Sequence, residues 1–72
     1  MLTNELKGKI VAAGYSQRTL ADAMTAAGNK ISENTLSKKV NGRVPFDTSE
    51  VACICGLLGI HDNDEKARIF LA

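Results

Sequence analysis

The residues best equipped for recognition chemistry fall in one short run, Glu33, Asn34, Ser37 and Lys38, between Ser32 and Asn41. Read as a helix over 32–41, this run has only two large apolar residues, Leu36 and Val40, set four apart on one face. The other side chains donate or accept hydrogen bonds, or carry charge. A helix held by so narrow a stripe leaves most of its surface outside. Asn offers a paired donor and acceptor that fit adenine, Lys donates to guanine, and a Glu carboxylate accepts from the amino group of cytosine. Glu33 also repels phosphate, so its carboxylate either reaches a base or caps its own helix. Four cations, Lys30, Lys38, Lys39 and Arg43, lie within residues 30–43. Any one of them reads equally well as a solvated charge; together they favour a polyanion.

The other chemistries fare worse. Cys53 and Cys55 are the only cysteines. Two positions apart on a helix they point roughly 200° from each other, which prevents a mutual disulfide or joint chelation of one ion. With His61 they make an incomplete set for a structural zinc, which normally takes four ligands. Small buried hydrophobes in a reducing compartment is the better reading. No Gly-rich phosphate loop, metal-ligand cluster or nucleophile partner for His61 is evident, so no enzyme and no cofactor is expected.

An outward helix must be held by a partner, and the sequence before it supplies one. Ser16 can cap a helix in which Leu20, Ala21, Met24 and Ala27 form an apolar stripe and which Gly28-Asn29 ends. Ser32 can cap the helix that follows. Ser16-Gln17, Leu20-Ala21, Ile31-Ser32, Thr35-Leu36-Ser37 and Val40-Asn41-Gly42-Arg43 together resemble the helix-turn-helix of the Cro/repressor (XRE) family of phage and bacterial regulators. The stretch from Phe46 to Phe70 is also similar to small Cro-like proteins of phages of Gram-positive bacteria, so the resemblance spans nearly the whole chain. The family usually passes from the first motif helix to the Ile-Ser of the second through about one glycine. Here Thr25-Ala26-Ala27-Gly28-Asn29-Lys30 intervenes, which predicts a first motif helix lengthened by a turn.

The resemblance implies a lambda-repressor-like all-α domain with its motif at about 16–43. It further implies a sequence-specific DNA-binding transcriptional regulator of phage or prophage type. Base contacts would fall to Glu33, Asn34, Ser37 and Lys38. Gln17 matches a phosphate-contacting family position, and Arg18, Lys30, Lys39 and Arg43 would neutralise backbone charge. One small domain covers one half-site, so a homodimer on an operator with half-sites about 10 bp apart is expected. The alternative keeps the fold and drops the DNA: a protein-interaction module such as an antitoxin, antirepressor or adaptor.

The rest of the chain reads as three more helices. Thr3 is a plausible cap for a helix over 4–13 carrying Leu6, Ile10 and Val11, in which Gly8 suggests close packing by a neighbour. Pro45 enforces an extended link. Asp47 and Glu50 then have capping-box spacing, with Phe46 able to staple onto Val51, and Val51, Ile54, Cys55 and Leu58 make helix 48–58 a core helix. Gly59-Ile60 ends it. Asp62 and Glu65 repeat the capping spacing before a last short helix. Ile69, Phe70 and Leu71 are too apolar a run for an exposed terminus and are the expected dimer surface. Five helices and no strand pattern predict one compact domain over 1–72.

Size and charge agree with that reading. Seventy-two residues, 44% of them hydrophobic, lie near the lower limit for a self-sufficient core. No run approaches the roughly 18 apolar residues of a membrane span, and no secretory leader is evident, so a cytoplasmic protein is expected. The net charge is +1, unevenly spread: residues 1–43 hold seven Lys/Arg against three Asp/Glu, or +4, and residues 44–72 hold two against five, or −3. A basic half toward phosphate and an acidic half away suits a DNA-binding module.

Overall fold

Helix ends in this chain are written in side chains three residues apart, and the computed structural model, which describes residues 1–71, bears most of them out. Five helices form: α1 (Thr3–Ala12), α2 (Gln17–Ala26), α3 (Glu33–Val40), α4 (Thr48–Leu58) and α5 (Asn63–Phe70), with no strand among the described residues. The Ser16 hydroxyl accepts from the Thr19 amide at 3.2 Å, and the Thr19 hydroxyl accepts from the Ser16 amide at 2.8 Å. Asp47 and Glu50 exchange the same pair of bonds at 2.7 and 2.9 Å. Ser32 caps α3 through the Thr35 amide at 3.2 Å. Each cap satisfies backbone donors that a helix start leaves without partners.

Two expected caps work differently. Thr3 lies inside α1, and Leu2 at the cap position offers no side-chain bond. The chain start is held instead from a distance: the Leu2 amide donates to the Ile69 carbonyl at 2.8 Å. Asp62 caps α5 through the Asp64 amide at 3.0 Å. Glu65 does not complete a box, because its carboxylate pairs with Lys9 of α1 at 2.7 Å.

Four helices stop in the same way. Gly14, Gly28, Gly42 and Gly59 have φ between +73° and +96°, and the next amide reaches back to the carbonyl five residues earlier. These bonds run from Tyr15 to Ile10, Asn29 to Met24, Arg43 to Lys38 and Ile60 to Cys55, at 2.9–3.0 Å. The left-handed turn is cheap only without a Cβ.

The core is Leu6 and Ile10 of α1, Leu20, Ala21 and Met24 of α2, Leu36 and Val40 of α3, Ile54 and Cys55 of α4, then Ile60 and Ile69. Burying each larger side chain contributes about 1.5–3 kcal/mol. Helix α2 packs on α3 and α4, and α1 packs on α3 and α5, so α3 is carried from two sides. Some expected positions fall elsewhere. Val11 is 72% exposed because it sits beside the Leu6/Ile10 stripe. Ala27 lies past the end of α2 and is exposed. Gly8 is also exposed, and a Cβ built there meets nothing within 4 Å, so no neighbour explains it.

Candidate functional site

Helix α3 is two turns long, and it meets the body through Leu36 and Val40, both fully buried. Glu33, Asn34 and Lys38 are exposed, and Ser37 is half-buried. Asn41 reaches back over the last turn, its Nδ2 donating to the Ser37 carbonyl at 2.8 Å and lying 3.4 Å from its hydroxyl. Of the four residues expected to read a partner, three therefore stand free on one short helix and the fourth is partly engaged by Asn41.

The expected phosphate-binding residues divide. Arg18, Lys30 and Arg43 are exposed, and none forms an ion pair among the described residues. Gln17 is half-buried in a small cleft with Lys7, Ile10, Val11, Tyr15 and Ser16. Lys39 is not a free cation. Its Nζ lies 2.5 Å from each carboxylate oxygen of Glu50, and the two side chains are 14% and 12% exposed. It points toward α4 rather than into solvent, so a phosphate at Lys39 would have to displace a carboxylate already in place.

The ion pairs also sharpen the charge distribution. Lys9, Lys39 and Arg68 are held by Glu65, Glu50 and Glu5, while among the described residues Arg18, Lys30, Lys38 and Arg43 form no ion pair along the stretch that includes α2 and α3, nor do Lys7 and Lys66 elsewhere. Arg68 has its pKa raised, first by its hydrogen bond to Glu5.

The long connection between α2 and α3 is tied at both ends. The Thr25 hydroxyl donates to the Ile31 carbonyl and accepts from the Ile31 amide, both at 3.2 Å. On its other side the Ser49 hydroxyl of α4 donates to Asn29 Oδ1 at 3.2 Å. Neither Thr25, Ser49 nor Glu50 stood out as a positioning residue in the sequence. Only the capping role of Glu50 was legible, from its spacing to Asp47.

Ile69 is fully buried, so of the apolar run expected to face a second copy it belongs to the core. Phe70 is half-buried, its ring edge-on to Phe46 with centroids 5.8 Å apart, and Leu71 is 83% exposed. Met1, Gly42, Val44, Pro45 and Phe46 border the same shallow cleft. Cys53 and Cys55 are free thiols on different faces of α4, half-buried and buried. Among the described residues no three side chains of metal-ligating type come together, and no helix is long and apolar enough to cross a membrane.

These features define a small five-helix all-α protein with one sparsely anchored, polar helix. The profile of a family described as a protein of unknown function, DUF739, matches residues 3–71, and the chain belongs to that family. No curated protein and no solved structure matches it.

Proposed function

We propose that this protein is a sequence-specific DNA-binding regulator in which α2 and α3 act as a helix-turn-helix and α3 enters the major groove. The observation that carries the reading is α3 itself. Two buried residues anchor it, and Glu33, Asn34 and Lys38 are left exposed beside Arg18, Lys30 and Arg43, cations that form no ion pair among the described residues. Such a helix has base-reading groups at its start, and cations flank it to engage the backbone. Gln17, in the first turn of α2, suits a phosphate because helix N-termini present unpaired amides there.

Binding as a dimer belongs to this proposal. The cleft around Phe46, Phe70 and Leu71 supplies the contact, with Ile69 supporting it from the core. Sedimentation at high concentration, with and without DNA, tests it; a monomer under both conditions removes it.

The test of DNA binding is a titration against duplex from upstream of the protein's own gene, with scrambled competitor, at two salt concentrations. Preferential binding that weakens steeply with salt is the expected result. No binding at low salt overturns the reading and leaves the fold to a protein partner.

A further inference from the structure

Leu36 and Val40 are four residues apart and define a line of contact along α3. Apolar contact has no direction, so these two residues by themselves set the rotation of α3 about its axis only loosely. A roll of that kind would move Glu33, Asn34 and Lys38 together. Lys39 projects roughly 60–100° around the axis from the two anchors, so a bond there stops the roll. Its partner is itself fixed. Glu50 is 9% exposed, the one buried charged residue among those described. Its Oε1 also accepts from the Asp47 amide at 2.9 Å in the α4 capping box. The carboxylate is thus held by the start of α4, and both its oxygens lie 2.5 Å from Lys39 Nζ.

We infer that Lys39 is a positioning residue, locking α3 in rotation against the capped start of α4 through Glu50 and taking no phosphate. Lys38, one residue earlier and exposed with no ion pair among the described residues, is the cation that meets DNA. The division of labour between adjacent lysines rests on the DNA-binding reading; the lock itself does not.

The two roles separate by salt dependence. A lysine that releases a counterion from DNA contributes about one unit to the slope of log affinity against log salt, and a positioning lysine contributes none. Lys39→Met keeps the aliphatic stem and strands the Glu50 carboxylate. Adding Glu50→Gln removes the stranded charge and keeps an oxygen able to complete the capping box. Wild type, Lys38→Ala, Lys39→Met and Lys39→Met/Glu50→Gln are titrated with upstream and scrambled duplexes over a range of salt, correcting for the folded fraction.

Lys38→Ala is expected to lower the slope by about one and, as the loss of a base contact, to weaken the preference for the upstream duplex. Lys39→Met is expected to keep the wild-type slope and to lose about tenfold of the preference for the upstream duplex, since a misaimed base contact is worth that much. The double variant removes the stranded charge but not the missing bond, so it is expected to keep the wild-type slope and leave the preference low. A slope lowered by about one in Lys39→Met, or a double variant that regains the wild-type preference, overturns the inference.

Amide hydrogen exchange reads the lock without DNA. Lys39→Met is expected to speed exchange at Val40, Asn41 and Glu50 about tenfold relative to Met24 in α2, and the double variant, which also lacks the bond, is expected to stay fast. Equal acceleration in all helices, or none, overturns it. If wild type binds neither duplex, the DNA reading falls while the exchange result still decides the lock.

Discussion

The Arg68 guanidinium donates to the Glu5 carboxylate, joining the last helix to the first across 63 residues of chain. Lys9 and Glu65 make a second bridge between the same two helices at 2.7 Å. Both pairs are partly exposed, and beyond the Arg68–Glu5 pair the Leu2 amide donates to the Ile69 carbonyl. The closure of the domain depends on what lies beneath: Ile69, fully buried against the core.

A comparison along α5 tests this order of importance. Ile69→Ala should cost about 2–5 kcal/mol, by lost burial and the cavity left behind. Arg68→Ala should shift the urea midpoint only slightly, and less at high salt, because exposed pairs are screened. Leu71→Ala should leave the unfolding of dilute protein nearly unchanged. A larger loss for Arg68→Ala than for Ile69→Ala would show that the charges, not the core, close the fold.

The same substitution at two glycines should act with opposite sign. Gly8 is exposed inside α1 with nothing near its missing Cβ, so Gly8→Ala should stabilise by about 0.5–1 kcal/mol. Gly42 has φ +79°, and a Cβ there meets Thr3 Oγ1 at 3.6 Å and Met1 Cε at 3.8 Å. Left-handed backbone is strained for alanine, so Gly42→Ala should destabilise by about 1–2 kcal/mol. Thermal melts of the two variants decide the matter, since both effects are several degrees in a chain this size.

The two thiols should differ in reach and in pH response. Cys53 is half-buried and should react with a thiol reagent in the native state, whereas Cys55 should react only on unfolding. Burial raises the Cys55 pKa above its ordinary 9.0, opposed by the charge of Lys66 and helped by that of Glu65. Raising the native pKa above the unfolded one makes the stabilisation complete at lower pH. It is lost as pH rises through the native value, because the unfolded thiol gives up its proton first. As pH rises from the ordinary thiol range toward the raised native value, wild type should lose more stability than Cys55→Ala. Parallel pH profiles would remove Cys55 as the cause.

The proposed base contacts make a prediction about specificity alone. Asn34→Ala should weaken binding to the preferred duplex by about 1–3 kcal/mol and leave scrambled duplex and the salt slope unchanged. Asn34 is exposed, and no side-chain hydrogen bond holds it among the described residues, so the fold should tolerate the change. Competition titrations check this; equal weakening on both duplexes would assign Asn34 to the backbone or to the fold.

What the sequence determined by itself is local. Ser16, Ser32 and Asp47 mark three helix starts, Gly14, Gly28, Gly42 and Gly59 mark four ends, and Leu20, Ala21, Met24, Leu36 and Val40 mark the buried faces of α2 and α3. Each signal involves partners within about one helical turn, which a chain brings together whatever its final shape. The tertiary structure decided the rest, because the same side chain has a local and a distant option of similar energy. Glu65 had capping-box spacing and went to Lys9; Thr3 had a cap's chemistry and was displaced when Leu2 was held by Ile69. Lys39 was one of four cations in a basic run until folding placed a buried carboxylate beside it. A cation's availability depends on which elements approach it, and that is not a property of its neighbours in sequence.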